Sequence, residues 1–282
     1  MRNIDEHNIT DAVVARLADC PDPRTKQVLT SLVRHLHGFV RDVRLTEAEW
    51  EQAIGFLTAT GQKCDDKRQE FILLSDVLGV SMLTVAMNQS RPAGATEATV
   101  FGPFHTDDAP HCEQGADIAG GAPGQPLDVE IEVVDMQGRP IAGAEVDTWQ
   151  ADDDGLYDVQ RPELGATRRA RGVFRSDAEG RVRFRSVLPT AYPVPTDGPV
   201  GQLLLAAGRH PWRPAHVHFR LRAPGFATLI THLFREGDRY LDSDVVFGVR
   251  SSLIAAFEST TDAGGTKRHV LRHRFVMAPH AA

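Results

Sequence analysis

The sequence predicts an α+β fold: a helical N-terminal region (residues 1–90), a long connecting segment (91–126) and an antiparallel β-sandwich (127–282). Three observations carry the prediction. Apolar residues recur at helical spacing before residue 90, a stretch rich in Gly, Pro, Asp and Thr follows, and beyond it the apolar pattern changes to period 2.

Val28, Leu29, Leu32, Val33, Leu36 and Phe39 form one helical stripe, and Trp50, Ala53, Ile54 and Leu57 form a second. Thr46-Glu47-Ala48-Glu49, ahead of the second, is a capping box that satisfies the N–H groups a helix start leaves free. Phe71, Leu74, Leu78, Met82 and Val85 predict a third helix over 66–88. These stripes are expected to pack as a helical core, and such an amphipathic face could also meet a second subunit. Residues 90–126 read as a connection draped over the rest. Leu127, Val129, Ile131 and Val133 then alternate with Asp128, Glu130 and Glu132, which marks a half-buried strand; Asp135–Pro140 is a turn. After the turn at Asp177–Gly180, Val182 and Phe184 alternate with Arg181, Arg183 and Arg185, and residues 226–234 form a further strand. Short strands at these intervals predict a sandwich.

At 282 residues and 41% hydrophobic composition, the chain has material for a sizeable core. A net charge of −7 argues against nucleic acid or an anionic membrane as the main partner. The start, Met1-Arg2-Asn3-Ile4-Asp5-Glu6-His7, lacks the apolar run of a secretory signal, and no segment approaches the roughly 20 apolar residues of a membrane span. Cys20, Cys64 and Cys112 are odd in number, far apart and without a CxxC, which argues against a disulfide framework or a zinc ribbon and points to a reducing cytoplasm.

The chemistry concentrates in Arg213-Pro214-Ala215-His216-Val217-His218-Phe219. On a helix the two histidines would point about 200° apart; on a strand they share a face, with Val217 and Phe219 directed to the opposite, buried side. Two imidazoles held this way are half of a metal site. The chain has three tyrosines, and two of them precede the pair in Gly- or Pro-rich loops. Tyr157 follows the acidic turn after Trp149, and Tyr192 lies among four prolines, Pro189, Pro193, Pro195 and Pro199, in a loop expected to be stiff without hydrogen bonds of its own. Singly, each tyrosine is compatible with an ordinary amphipathic core edge. Together, two phenols and two imidazoles suit a hard, strongly Lewis-acidic cation, and two phenolates plus a hydroxide would cancel the charge of Fe(III).

From about residue 65 to 260 the sequence resembles the intradiol ring-cleavage dioxygenases. The resemblance rests on Val134-Asp135 with Gly138, Pro140, Gly143-Ala144, Val146-Asp147 and Trp149-Gln150; on Gly155-Leu156-Tyr157; on Tyr192-Pro193 with Gly198-Pro199; and on Arg213 to His218. The hydroxyquinol 1,2-dioxygenase branch is the most similar, through Arg68–Asp76, Val100–Phe104, Gly208–Pro211 and Ser243–Val249. Catechol-cleaving relatives usually read Trp-His-Ala-Asn at Trp149-Gln150-Ala151-Asp152 and tend to carry Gln at His232. Asp152 departs from the usual Asn.

The resemblance implies a non-haem Fe(III) cofactor with Tyr157, Tyr192, His216 and His218 as ligands, Tyr192 leaving when substrate binds, and Arg213 as the catalytic arginine. It implies hydroxyquinol and O2 as substrates and 3-hydroxy-cis,cis-muconate, tautomerising to maleylacetate, as product. The implied pocket is Leu73, Asp76, Val100, Phe101, Gly102, Pro103, Phe104, Val194, Pro195 and Val246, with Asp76 available to the extra ring hydroxyl. It also implies a homodimer through the N-terminal helices, in relatives with a lipid between the subunits. The competing expectations are a catechol or chlorocatechol 1,2-dioxygenase, an iron-free β-sandwich binding module, and a zinc hydrolase using His216 and His218.

Overall fold

The computed structural model describes residues 2–65, 68–261, 264–265 and 267–280, and the chain divides into two compact units, residues 1–59 and 60–282. The first unit contains Ile9–Ala15 (α1), Pro23–Val43 (α2) and most of Glu47–Gln62 (α3). Asp22 caps α2 by accepting the Thr25 N–H at 2.6 Å, and Pro23 supplies a preset φ at the first helical position. At α3 the capping box forms as the sequence predicts: the Thr46 N–H donates to Glu49 at 2.9 Å and the Glu49 N–H to the Thr46 hydroxyl at 3.3 Å. The apolar stripes do not form a core. Val28, Leu32, Leu36 and Phe39 on α2, and Trp50 and Ile54 on α3, are 46–54% exposed. Their periodicity is helical as predicted, but among the described residues of the first unit that face is left exposed.

In the second unit, the single helix predicted over 66–88 is two, Glu70–Val77 (α4) and Val80–Asn88 (α5), bent by 77°. Residues 66–67 of that prediction lie outside the described residues. Gly79 at φ 76° explains the break: a left-handed residue ends a right-handed helix, while the apolar spacing carries on across it.

The strands are Pro126–Asp135 (β1), Glu145–Gln150 (β2), Arg171–Arg175 (β3), Arg181–Val187 (β4), Tyr192–Pro193 (β5), Trp212–Arg213 (β6), His216–Arg222 (β7), Leu229–Arg235 (β8), Ile254–Ala255 (β9), Phe257–Thr261 (β10) and Lys267–Met277 (β11). A short helix, Pro199–Ala206 (α6), follows β5. One sheet has the order β10-β11-β1-β4, the other β3-β2-β7-β8-β9, and β5 and β6 form a two-stranded ribbon. The sandwich is mixed, since β1–β11 and β8–β9 run parallel. More than a hundred residues separate β1 from β11, so no hairpin dictates their direction.

The inner faces of the two sheets close one core: Leu127, Val129, Ile131, Phe184, Leu271 and Phe275 meet Val146, Phe174, Val217, Phe219, Leu221 and Leu229. Within residues 91–126 the Cys112 N–H donates to the Val173 carbonyl at 2.8 Å and the Ile118 N–H to the Arg185 carbonyl at 2.9 Å. Among the described residues no single helix is long and apolar enough to cross a membrane.

Candidate metal centre

β7 is the middle strand of its sheet, paired to β2 and β8. Its period-2 pattern puts Val217 and Phe219 in the core and His216 and His218 on the opposite face, both 1% exposed. The His216 Nδ1–H donates to the Pro214 carbonyl at 2.7 Å, which leaves Nε2 as a bare lone pair. His218 stacks on Trp149, with ring centroids 4.8 Å apart.

Tyr157 reaches the same point from the loop after β2. Asp152 shapes that loop: its carboxylate accepts the Asp154 and Leu156 N–H groups at 3.0 and 3.2 Å and is held by Arg161 at 2.6 Å. That guanidinium gives a reason for an acid rather than an amide at this position. Tyr192 opens β5, and the loop carrying it is not without hydrogen bonds as expected. β5 pairs with β6, setting Tyr192 directly across from Arg213, and the Val194 N–H donates to Pro211 at 2.9 Å. The prolines stiffen the loop and a two-residue ladder locates it.

The four side chains converge. Tyr157 Oη lies 2.9 Å from His218 Nε2 and 3.2 Å from Tyr192 Oη, and the two histidine Nε2 atoms are 3.1 Å apart. Arg213, 3% exposed, donates through Nε to Asp244 at 3.1 Å and places Nη1 3.2 Å from His216 Nε2. Burial opposes the Arg213 charge, yet Asp244 and the tyrosines hold its pKa above the ordinary arginine value. Burial, followed by the neighbouring Arg213 or imidazole charges, drives His216, His218 and His232 well below the usual imidazole value, so all three are neutral. Burial and then Tyr192 raise Tyr157 well above 10, while Arg213 and Arg171 pull the other way.

This donor set fits a hard trivalent cation. Two facing imidazole lone pairs repel unless a cation lies between them, and buried phenols ionise only beside strong positive charge. His232, outside the sequence motif, joins His216 and His218 in a cluster whose ligand atoms lie within 4.8 Å of one another.

Residues 100–279 match the model described as "Dioxygenase" and residues 22–96 the one described as "Catechol dioxygenase N terminus". The chain belongs to the intradiol ring-cleavage dioxygenases. It is 63% identical over 279 residues, 99% of each chain, to the 6-chlorohydroxyquinol 1,2-dioxygenase of Cupriavidus pinatubonensis. It is 52% identical to the hydroxyquinol 1,2-dioxygenase of Nocardioides simplex, covering 90% of this chain and 86% of the relative. The crystal structure of hydroxyquinol 1,2-dioxygenase from Pseudomonas putida superposes with a TM-score of 0.91 at 48% identity, over 98% of this chain and 99% of that one.

The pocket residues that the dioxygenase resemblance implies differ in what surrounds them. Leu73, Val100, Val194 and Val246 share one buried apolar cluster, which supplies a wall of suitable chemistry for an aromatic ring. Phe104 stacks on Tyr157 at 4.5 Å, and Phe101 packs against His105 and Trp149. Gly102 lies against the His218 ring. Asp76 is 6% exposed, close enough to feel both Arg213 and Asp244; burial, the largest influence, raises its pKa. Sequence reasoning gave no role to Asp244, His232 or the buried Arg171–Asp158 pair. Asp244 lies within a quoted motif, but nothing in its spacing shows that it turns back onto Arg213, and Arg171 sits in an arginine-rich run that reads as solvated.

Proposed function

We propose that this dioxygenase cleaves hydroxyquinol (benzene-1,2,4-triol) between its adjacent hydroxylated carbons, at a non-haem Fe(III) centre held by Tyr157, Tyr192, His216 and His218. The observation that carries the reading is the chain of two phenol oxygens and two imidazole nitrogens linked at 2.9–3.2 Å, with a buried guanidinium beside it. Both atoms of O2 enter the product, 3-hydroxy-cis,cis-muconate, which tautomerises to maleylacetate. When bound, the ferric ion would supply Lewis acidity toward the substrate's two adjacent oxygens and activate the ring toward O2.

The protein's own groups do the rest. Tyr192, on a two-residue ribbon, would serve as a phenolate when the metal is bound, and on leaving the cluster would take up a substrate proton and become the neutral phenol. Arg213, oriented by Asp244, stabilises the negative charge that develops on the ring and its oxygens, a contribution of about 3 kcal/mol for one preorganised donor. The apolar cluster around Val100 and Val246 excludes water from the ring face. Asp76 accepts a hydrogen bond from the third hydroxyl. The names of the relatives support this substrate class and add 6-chlorohydroxyquinol as a second candidate. The exposed apolar face of α2 supports a homodimer, and the three unpaired cysteines fit a reducing cytoplasm.

The test is an anaerobic spectral titration of the red-brown ferric protein with hydroxyquinol, then O2 and product identification. A colourless protein that stays inactive after ferric reconstitution would overturn the reading. Faster turnover of catechol would move it to the catechol branch, and zinc-dependent activity indifferent to Tyr157→Phe would point to a hydrolase. Asp76→Ala is expected to lower kcat/KM on hydroxyquinol about tenfold more than on catechol, the value of one hydrogen bond to a charged group; equal losses remove the specificity role.

A further inference from the structure

Arg171 opens β3 and is only 2% exposed, so its charge is answered inside the protein. Its Nε donates to the Asp158 carboxylate at 2.8 and 2.9 Å, and its Nη2 donates to the same group. Its Nη1 donates to the Phe104 carbonyl at 3.0 Å and to the Thr106 hydroxyl at 3.2 Å. Asp158 also accepts the N–H groups of Val159 and Arg169, at 2.9 and 3.1 Å. Asp158 is the next residue after Tyr157, and the Phe104 ring lies stacked on the Tyr157 ring with centroids 4.5 Å apart and planes 27° apart. One guanidinium therefore grips Tyr157 from two sides, through the backbone that carries it and through the ring that covers it.

We infer that Arg171 is a positioning residue for Tyr157: its clasp on Asp158 and Phe104 fixes where the phenol sits and so how strongly its oxygen donates to a bound metal ion. The inference rests on the ferric-centre reading. An ion pair that served stability alone would leave the ligand's electronic signature unchanged. A clasp that sets the Tyr157 oxygen changes the signature of that one tyrosine and leaves the signature of Tyr192, held on β5, where it was.

The experiment compares Fe(III)-loaded wild type with Arg171→Lys, Arg171→Gln and Phe104→Leu. The readouts are resonance Raman of the phenolate-to-iron bands and the rate of iron release to a chelator. Tyr157 bands are identified as those lost in Tyr157→Phe. The expected result is a shift confined to the Tyr157 bands and iron release faster by about tenfold or more in Arg171→Gln, the usual effect of removing a group that orients a metal ligand. Arg171→Lys, which keeps the charge without the fork, is expected to recover part of both. Arg171→Gln leaves Asp158 buried without its cation and is the variant most exposed to misfolding; Phe104→Leu removes only the stacked ring and reads the other half of the clasp in an intact fold. Unmoved Tyr157 bands and wild-type iron release in folded Arg171→Lys and Phe104→Leu overturn the inference. A wild-type protein that takes up no Fe(III) and stays colourless overturns the ferric reading itself, before any variant is made.

Discussion

Gly102 has no side chain, and the His218 ring occupies the space one would need. A Cβ at this position would lie 2.8 Å from His218 Cε1, and the residue's φ of 80° is left-handed. Neither cost is avoidable for alanine: the backbone term is about 1–2 kcal/mol, and the ring cannot retreat because it is stacked on Trp149 and packed at 4.0 Å against His232. Gly102→Ala is therefore expected to lower stability by more than the backbone cost of about 1–2 kcal/mol and to weaken ferric binding about tenfold or more, by turning the His218 nitrogen away from the other three donors. Denaturant unfolding and iron content by absorption check the two parts separately. Full iron occupancy in the variant would mean that this loop does not set the His218 ring. The same scale explains Asp152: an amide there could accept the two loop N–H groups but could not answer the Arg161 charge.

At the scale of elements, the readable features were those with a local cause. Period-2 alternation put His216 and His218 on one face of β7 and Val217 and Phe219 on the other, and the capping box at Thr46 forms as read. The α4–α5 break, the β5–β6 ribbon and the return of Asp244 onto Arg213 depend on a single dihedral or on contacts between distant segments, and periodicity carries neither. The stripe on α2 is the instructive case, since a correct helical pattern gave the wrong environment. Apolar spacing specifies that a face must be covered but not by which chain. Leu32 and Leu36, 49% and 52% exposed, are expected to be buried against a second copy. Sedimentation velocity should give twice the 30.9 kDa chain mass for the wild type and the single-chain mass for Leu32→Glu/Leu36→Glu. A monomeric wild type would remove the dimer from the reading.

The whole molecule is closed by β11, which runs parallel to β1 along the full register from Leu127 to Asp135, so a group that destabilises β11 loads the entire sandwich. His273 is such a group. It shares the inward face of β11 with Leu271 and Phe275, its ring centroid is 4.8 Å from that of Phe275, and burial lowers its pKa from 6.5 to about 4. The folded protein thus keeps a neutral imidazole down to about pH 4, whereas the unfolded chain takes up the proton near pH 6.5. Below pH 6.5 the unfolded state binds more protons, so this contribution is fully present above pH 6.5 and is lost as the pH falls toward 4. His216, His218, His232 and His269 are depressed in the same direction, so the wild-type pH profile alone cannot isolate His273. The difference between wild type and His273→Leu does, because the site histidines are common to both proteins. Urea unfolding of each, stepped from pH 7.5 to 4.5, is expected to show a shallower acid loss in His273→Leu and a stability gap that changes only below pH 6.5. Parallel profiles would place the His273 ring in water, and the acid sensitivity of the sandwich would then belong to the other depressed histidines, His216, His218, His232 and His269.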